Sequence, residues 1–208
     1  MTTIPGLISP GELTLDEPVV TPAGLRVMGL DLSITSTGVC RPDGSTFRIR
    51  TRLRDGKRRQ NIIRDLLAVE VAEHRPHLAV IEDLPMNTGR MSIANLKTIA
   101  GLHGVVQSVL TDADVPWAYV TPKTLKAFAC DNGGAEKADM AAAAFLADGA
   151  EFADDKGGDQ CDAWWLRAAG HDWCGQPLFD LPPAQRDKLS KAEWPTAFAQ
   201  RYVMGAAA

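Results

Sequence analysis

The sequence predicts an α/β fold: a mixed five-stranded sheet, three antiparallel strands followed by two parallel ones, flanked by helices. Three observations predict it. The chain opens with apolar or alternating runs separated by turn signals, at residues 25–32, 38–40 and 46–53. Two short apolar runs, residues 78–81 and 116–120, each follow a helical pattern, as buried parallel strands do. At 208 residues, 45% hydrophobic and 23% charged, the chain suits one domain with a sizeable core and appendages.

The elements follow in order. Residues 1–24 carry Pro5, Pro10, Pro18 and Pro22 without periodicity and read as an irregular extension. Strand one, residues 25–32, places a single carboxylate, Asp31, at the end of an apolar run. The turn Pro42-Asp43-Gly44 makes a hairpin with the third strand. In residues 46–53, Phe47, Ile49, Thr51 and Leu53 alternate with Arg48, Arg50, Arg52 and Arg54. The spacing predicts one continuous arginine row on a strand face. A helix over residues 57–73 has Ile62, Ile63, Leu66, Leu67 and Val71 at helical spacing. The run 78–81 ends in Glu82, so a second strand delivers an acid at its C-terminal end, where open α/β sheets bind ligands.

Ser92 is placed to cap a helix reaching residue 110, which carries Ala94, Ala100, Gly101, Gly104 and Ser108. An amphipathic piece over 123–129 and an alanine-rich helix over 135–146 follow the fifth strand. The last core helix begins at Asp159 and continues through Trp164 and Trp165 to residue 170. Residues 171–208 read as a partly helical tail that packs on the core domain (25–170) through Trp194 and Phe198.

Charge narrows the function. The net charge is −4, yet residues 41–64 hold nine Lys or Arg against two Asp. Residues 105–208 hold nine basic against fifteen acidic. Such a basic segment on an acidic chain is a local surface for a polyanion, and it gathers Arg48, Arg50, Arg52, Arg54, Lys57, Arg58 and Arg59. Taken alone, a charge run is as well explained by a solvated face. No apolar run approaches membrane-span length, and the N-terminus lacks the basic and apolar segments of a signal peptide. Cys40, Cys130, Cys161 and Cys174 form no CxxC pair, which predicts reduced thiols in a cytoplasmic protein.

Four carboxylates stand out. Asp31 and Glu82 end two strands, while Asp159 and Asp162 share a face at the start of the last core helix. Acids in a first helical turn also favour the helix dipole, so that pair alone proves little. Together the four form a cluster that repels itself without cations. Hard divalent ions, Mg²⁺ with Mn²⁺ as a substitute, suit all-oxygen ligands. Two ions per site would serve in-line attack on a phosphodiester.

Four segments resemble the RuvC-type Holliday junction resolvases of the ribonuclease H-like superfamily. They are GLDLSITSTGV (29–39), VIEDL (80–84), VTPKTLKAFACDNGGAEKADM (120–140) and GDQCDAWWL (158–166). The resemblance implies that Asp31, Glu82, Asp159 and Asp162 are metal-binding catalytic carboxylates. It implies that Lys126 and Lys137 contact DNA or assist the reaction. Arg90, on the loop 86–90, is expected among the DNA-binding residues. The resemblance also implies a homodimer through the helix 92–110 and branched DNA as partner. The high Ala and Gly content suits a bacterial cell or phage-infected host, and the lack of a long apolar run predicts no membrane partner. The chain departs from the family pattern in two places. Leu32-Ser33 stands where the family has Pro-Gly, and Pro85-Met86 where an aromatic residue is common. Two other readings compete: a junction-binding architectural protein that does not cleave, and an actin-fold ATPase, for which the chain lacks a second phosphate loop.

Overall fold

The computed structural model describes residues 24–84 and 92–195. Residues 1–23, Arg90 and Phe198 lie outside the described residues.

The hairpin signals produce β1 (Val27–Asp31), β2 (Ser36–Cys40) and β3 (Thr46–Arg50), paired antiparallel in sequence. After α1 (Arg59–His74), β4 (Leu78–Glu82) inserts parallel to β1. After α2 (Ile93–Asp112), β5 (Trp117–Val120) adds parallel to β4. The sheet order is β3-β2-β1-β4-β5. The helices α3 (Pro122–Cys130), α4 (Lys137–Asp148) and α5 (Asp159–Trp173) complete the core, and a short α6 (Pro183–Arg186) follows. The expected mixed sheet flanked by helices is therefore present, in the ribonuclease H-like order.

Strand alternation sorts two cores. Met28, Leu30, Val39, Ile49, Ala79 and Ile81 face α1 and α2, meeting Ile63, Leu67, Leu102 and Val106. Val27, Cys40, Leu78, Val80 and Val120 face the other way, toward α3, α4 and α5. There Phe128 packs edge-on to Trp165 at 5.9 Å between ring centres. The indole N–H of buried Trp165 donates to the Met140 carbonyl at 3.1 Å, so this large side chain is buried without an orphaned donor.

The arginine row needs correction. β3 stops at Arg50, and Leu53 is 84% exposed. The Thr51 N–H donates to the Thr35 carbonyl at 3.1 Å. The Arg52 N–H donates to Asp55 Oδ2 at 2.6 Å, and the Asp55 N–H returns to the Arg52 carbonyl. These local bonds compete with the ladder and close a 3₁₀ turn over Leu53–Arg58. Arg52 and Arg54 thus leave the strand, and with Lys57 and Arg58 they form an exposed basic turn. Arg59 opens α1 half-buried.

The segment after α5 closes the second core. Trp194 stacks on Trp173 at 4.5 Å between ring centres and donates to the Leu189 carbonyl. Tyr119 and Glu193 exchange backbone hydrogen bonds, which partly covers the edge of β5, an otherwise open pairing surface.

Candidate active site

The register of β1 against β4 pairs Gly29 with Val80 and Leu30 with Ile81. One step further lie Asp31 and Glu82, on adjacent strands. Asp31 shares the face of Val27, and Glu82 that of Leu78 and Val80, so both acids emerge toward α5 at the C-terminal edge of the sheet.

The turn after Asp31, where Pro-Gly is missing, is built from hydroxyls. Thr37 Oγ1 donates to the Ser33 carbonyl at 2.7 Å and accepts from the Ser33 N–H. Ser33 Oγ and Thr35 Oγ1 lie 3.2 Å apart. The Thr51 hydroxyl donates to the Ile34 carbonyl. Leu32 turns inward and is buried in the α1–α2 core. Side-chain bonds to the backbone here replace the rigidity a proline would give.

Two strand glycines bring α5 onto the sheet. A Cβ on Gly38 would lie 1.9 Å from the Asp159 carbonyl oxygen, and one on Gly29 would lie 1.9 Å from that of Ala163. No side chain fits at either position, so the α5 backbone rests directly on β1 and β2. This approach delivers Asp159 and Asp162 to the two strand acids. Gly158, just before α5, has φ +77°, a conformation favouring glycine.

The four carboxylates sense each other. Burial, then the charges of Glu82, Asp162 and Asp159, hold the Asp31 carboxyl well above its ordinary range. Burial, with Asp162 beside it, pushes Glu82 up to about 7. Asp162 is pushed up to about 6 by burial, against the pull of Lys137 and Lys126. Both lysines lower Glu82 as well. Ser36 Oγ donates to Asp159 Oδ2 at 2.5 Å.

These donors suit a hard divalent cation in charge and chemistry. Among the described residues, no three acid, histidine or cysteine side chains stand together as a ready-made metal cage. Mg²⁺ commonly takes one or two carboxylates and completes its shell with water and substrate phosphate oxygens, and a cluster of facing acids can serve that mode.

The basic residues divide. Arg50, on the α5-facing side of β3 opposite Ser36, is exposed. Arg48 is not presented to solvent. Its side chain is 10% exposed, it donates to the Asp154 carbonyl, and it lies 3.9 Å from Asp155. Lys137 is exposed, yet its Nζ donates to the Gly157 carbonyl. Lys126 is half-buried on α3. Sequence reasoning missed Ser36, Gly29 and Gly38. An isolated glycine within a strand signals close backbone approach, and that signal was available at both glycines. Ser36 carried none, because its partner lies 123 residues away.

The sheet order β3-β2-β1-β4-β5 with its flanking helices defines a member of the ribonuclease H-like fold class. Solved structures narrow the fold to its RuvC-type form. Thermus thermophilus RuvC in complex with a Holliday junction substrate superposes with a TM-score of 0.62 at 17% identity, over 73% of this chain and 97% of that one. A second Thermus thermophilus RuvC structure gives 0.58 at 19% identity, over 73% and 98%. No protein-family model matches the sequence, and no curated protein does.

Proposed function

We propose that this chain is a divalent-metal-dependent, structure-selective endonuclease that nicks Holliday junctions or related branched DNA. One observation carries the reading. Asp31 and Glu82 end adjacent strands at the C-terminal edge of a RuvC-type sheet, under the first turn of α5 that carries Asp159 and Asp162, and burial with the neighbouring acids raises Asp31 and Glu82. Such a cluster is unfavourable unless cations or protons occupy it.

In this reading the four acids hold two Mg²⁺ ions, with Mn²⁺ able to replace them. Ions held by these acids would supply a lowered pKa for an attacking water and charge neutralisation at the departing 3′ oxygen. Asp31 and Glu82 are carried by the sheet, and Asp159 and Asp162 by α5. Lys126 and Lys137 offset phosphate charge beside the acids. The exposed Arg50, Arg52, Arg54, Lys57 and Arg58 lead away from the site and supply phosphate contacts that position the duplex. A homodimer would set paired nicks on opposing strands. Its contact is assigned to α2, whose exposed Ala100, Gly104 and Ser108 leave open space over Gly104. No described helix is long and apolar enough to cross a membrane.

The test uses purified protein on four-way, forked and linear duplex DNA with Mg²⁺, Mn²⁺ or EDTA. The expected result is metal-dependent, symmetric nicking of the four-way substrate. Asp31→Asn is expected to abolish cleavage while junction binding survives. Cleavage by Asp31→Asn in Mg²⁺ would refute the site. Junction binding without metal-dependent cutting by the natural chain would favour an architectural role.

A further inference from the structure

The acids Asp159 and Asp162 depend on where α5 begins, yet α5 has no side-chain cap of its own, because its N-cap is Gly158. Asp155 takes that role from outside the helix. Its Oδ2 accepts from the N–H groups of Gln160 and Cys161, both at 3.0 Å. These are donors that a helix start otherwise leaves unpaired. The Asp155 side chain is 4% exposed, and its other oxygen is buried without a hydrogen bond. The charge facing that oxygen is Arg48 Nη1 at 3.9 Å, and the same guanidinium donates to the Asp154 carbonyl. Thr46, two residues earlier on the same face of β3, donates to Gln160 Oε1 at 3.2 Å. On the other side, Lys137 holds the Gly157 carbonyl. The loop that launches α5 is thus gripped from β3 and from α4.

We propose that Asp155 and Arg48 are positioning residues: a buried clasp that ties the first turn of α5 to β3 and thereby sets Asp159 and Asp162 against Asp31 and Glu82. The inference rests on the nuclease reading, and it reassigns Arg48 from DNA contact to support of the site. Neither residue touches substrate. Asp155→Asn keeps an oxygen for the two N–H groups and is the conservative variant. Asp155→Ala removes the cap, and Arg48→Gln removes the facing charge.

The experiment measures amide hydrogen exchange at Gln160 and Cys161 in metal-free protein, with Val80 in the central strand β4 as reference. In parallel, junction affinity in EDTA and single-turnover cleavage across a Mg²⁺ titration are followed. In Asp155→Ala and Arg48→Gln, exchange at Gln160 and Cys161 is expected to rise by roughly tenfold, the scale of one lost cap, with Val80 unchanged. Cleavage is expected to fall and to need more Mg²⁺, with junction affinity within about twofold of the natural chain, since neither side chain meets a phosphate. Asp155→Asn is expected to restore most of the protection and rate. Unchanged exchange at the two amides in Arg48→Gln, or a loss of junction affinity with an unaltered Mg²⁺ requirement, overturns the proposal. If the natural chain cuts no branched substrate, the nuclease reading fails on its own, and the exchange data still decide the clasp.

Discussion

Replacing Gly38 by alanine tests whether the α5 backbone truly rests on the sheet. The added Cβ would meet the Asp159 carbonyl oxygen at 1.9 Å and its carbon at 2.5 Å. Ordinary van der Waals approach begins near 3.4 Å, so α5 or β2 must retreat by roughly 1.5 Å, and both colliding groups are backbone that cannot rotate away. Overpacking of this kind costs about 1–3 kcal/mol, and the upper end applies because nothing flexible absorbs it. The displaced residue is itself one of the four acids. A shift of about 1 Å in a catalytic constellation lowers rate by roughly 10²-fold. Denaturant unfolding and single-turnover cleavage of a four-way junction measure the two effects. Gly104→Ala is the control for the unfolding measurement alone, since α2 carries the assigned dimer contact. It lies in α2 with nothing within 4 Å of the added Cβ, so it should be neutral or stabilise by up to about 1 kcal/mol. If Gly38→Ala unfolds within about 0.5 kcal/mol of the natural chain, the ordinary range for a harmless substitution, and cuts at full rate, the close approach is wrong.

Three further outcomes follow from the charges and the tail. Glu82 is raised from 4.5 to about 7 in the folded state, so its protonated form stabilises the fold below about pH 4.5, and that contribution is lost as pH rises through about 7. Glu82→Gln, neutral throughout, should therefore gain on the natural chain between pH 5 and pH 8 in EDTA, by up to about 3 kcal/mol. The comparison is differential because His103 and His171, whose pKa values burial lowers, push overall stability the opposite way below pH 6.5; a difference that stays flat or shrinks with pH would refute the assignment. Removing Lys57 and Arg58 should weaken junction binding and reduce the steepness of its salt dependence, by about 0.9 in log–log slope for each phosphate no longer neutralised. An unaltered slope would place the DNA elsewhere. Trp194→Ala should lower unfolding free energy by about 2 kcal/mol, read by denaturant titration, because the ring stacks on Trp173 and its N–H bonds to Leu189; no loss would mean the tail does not support the core.

Local pattern alone determined much of this protein. Alternation and turn residues marked the three antiparallel strands, and apolar runs after helices marked the two parallel ones. Strand parity then follows from chain geometry, so Asp31 and Glu82 could be read as acids at strand ends. Asp159 and Asp162 could be read as one face of a helix start. Those signals depend on neighbours a few residues apart, which a sequence displays. Tertiary structure decided what depends on distant partners. Gly29 and Gly38 matter because the backbone of Ala163 and Asp159 arrives more than 100 residues later. Arg48 looked like a member of a solvent-facing row, but the face it occupies is the one α5 covers, so its charge went to Asp154 and Asp155. The strand ended at Arg50 rather than at Leu53 because Asp55 captured the Arg52 N–H. The turn after Asp31, without its Pro-Gly, stands because Thr37 reaches it from β2 and Thr51 from just beyond β3. Composition and spacing can announce which residues carry charge. Which charges are free to meet a substrate is settled only when the far ends of the chain pack together.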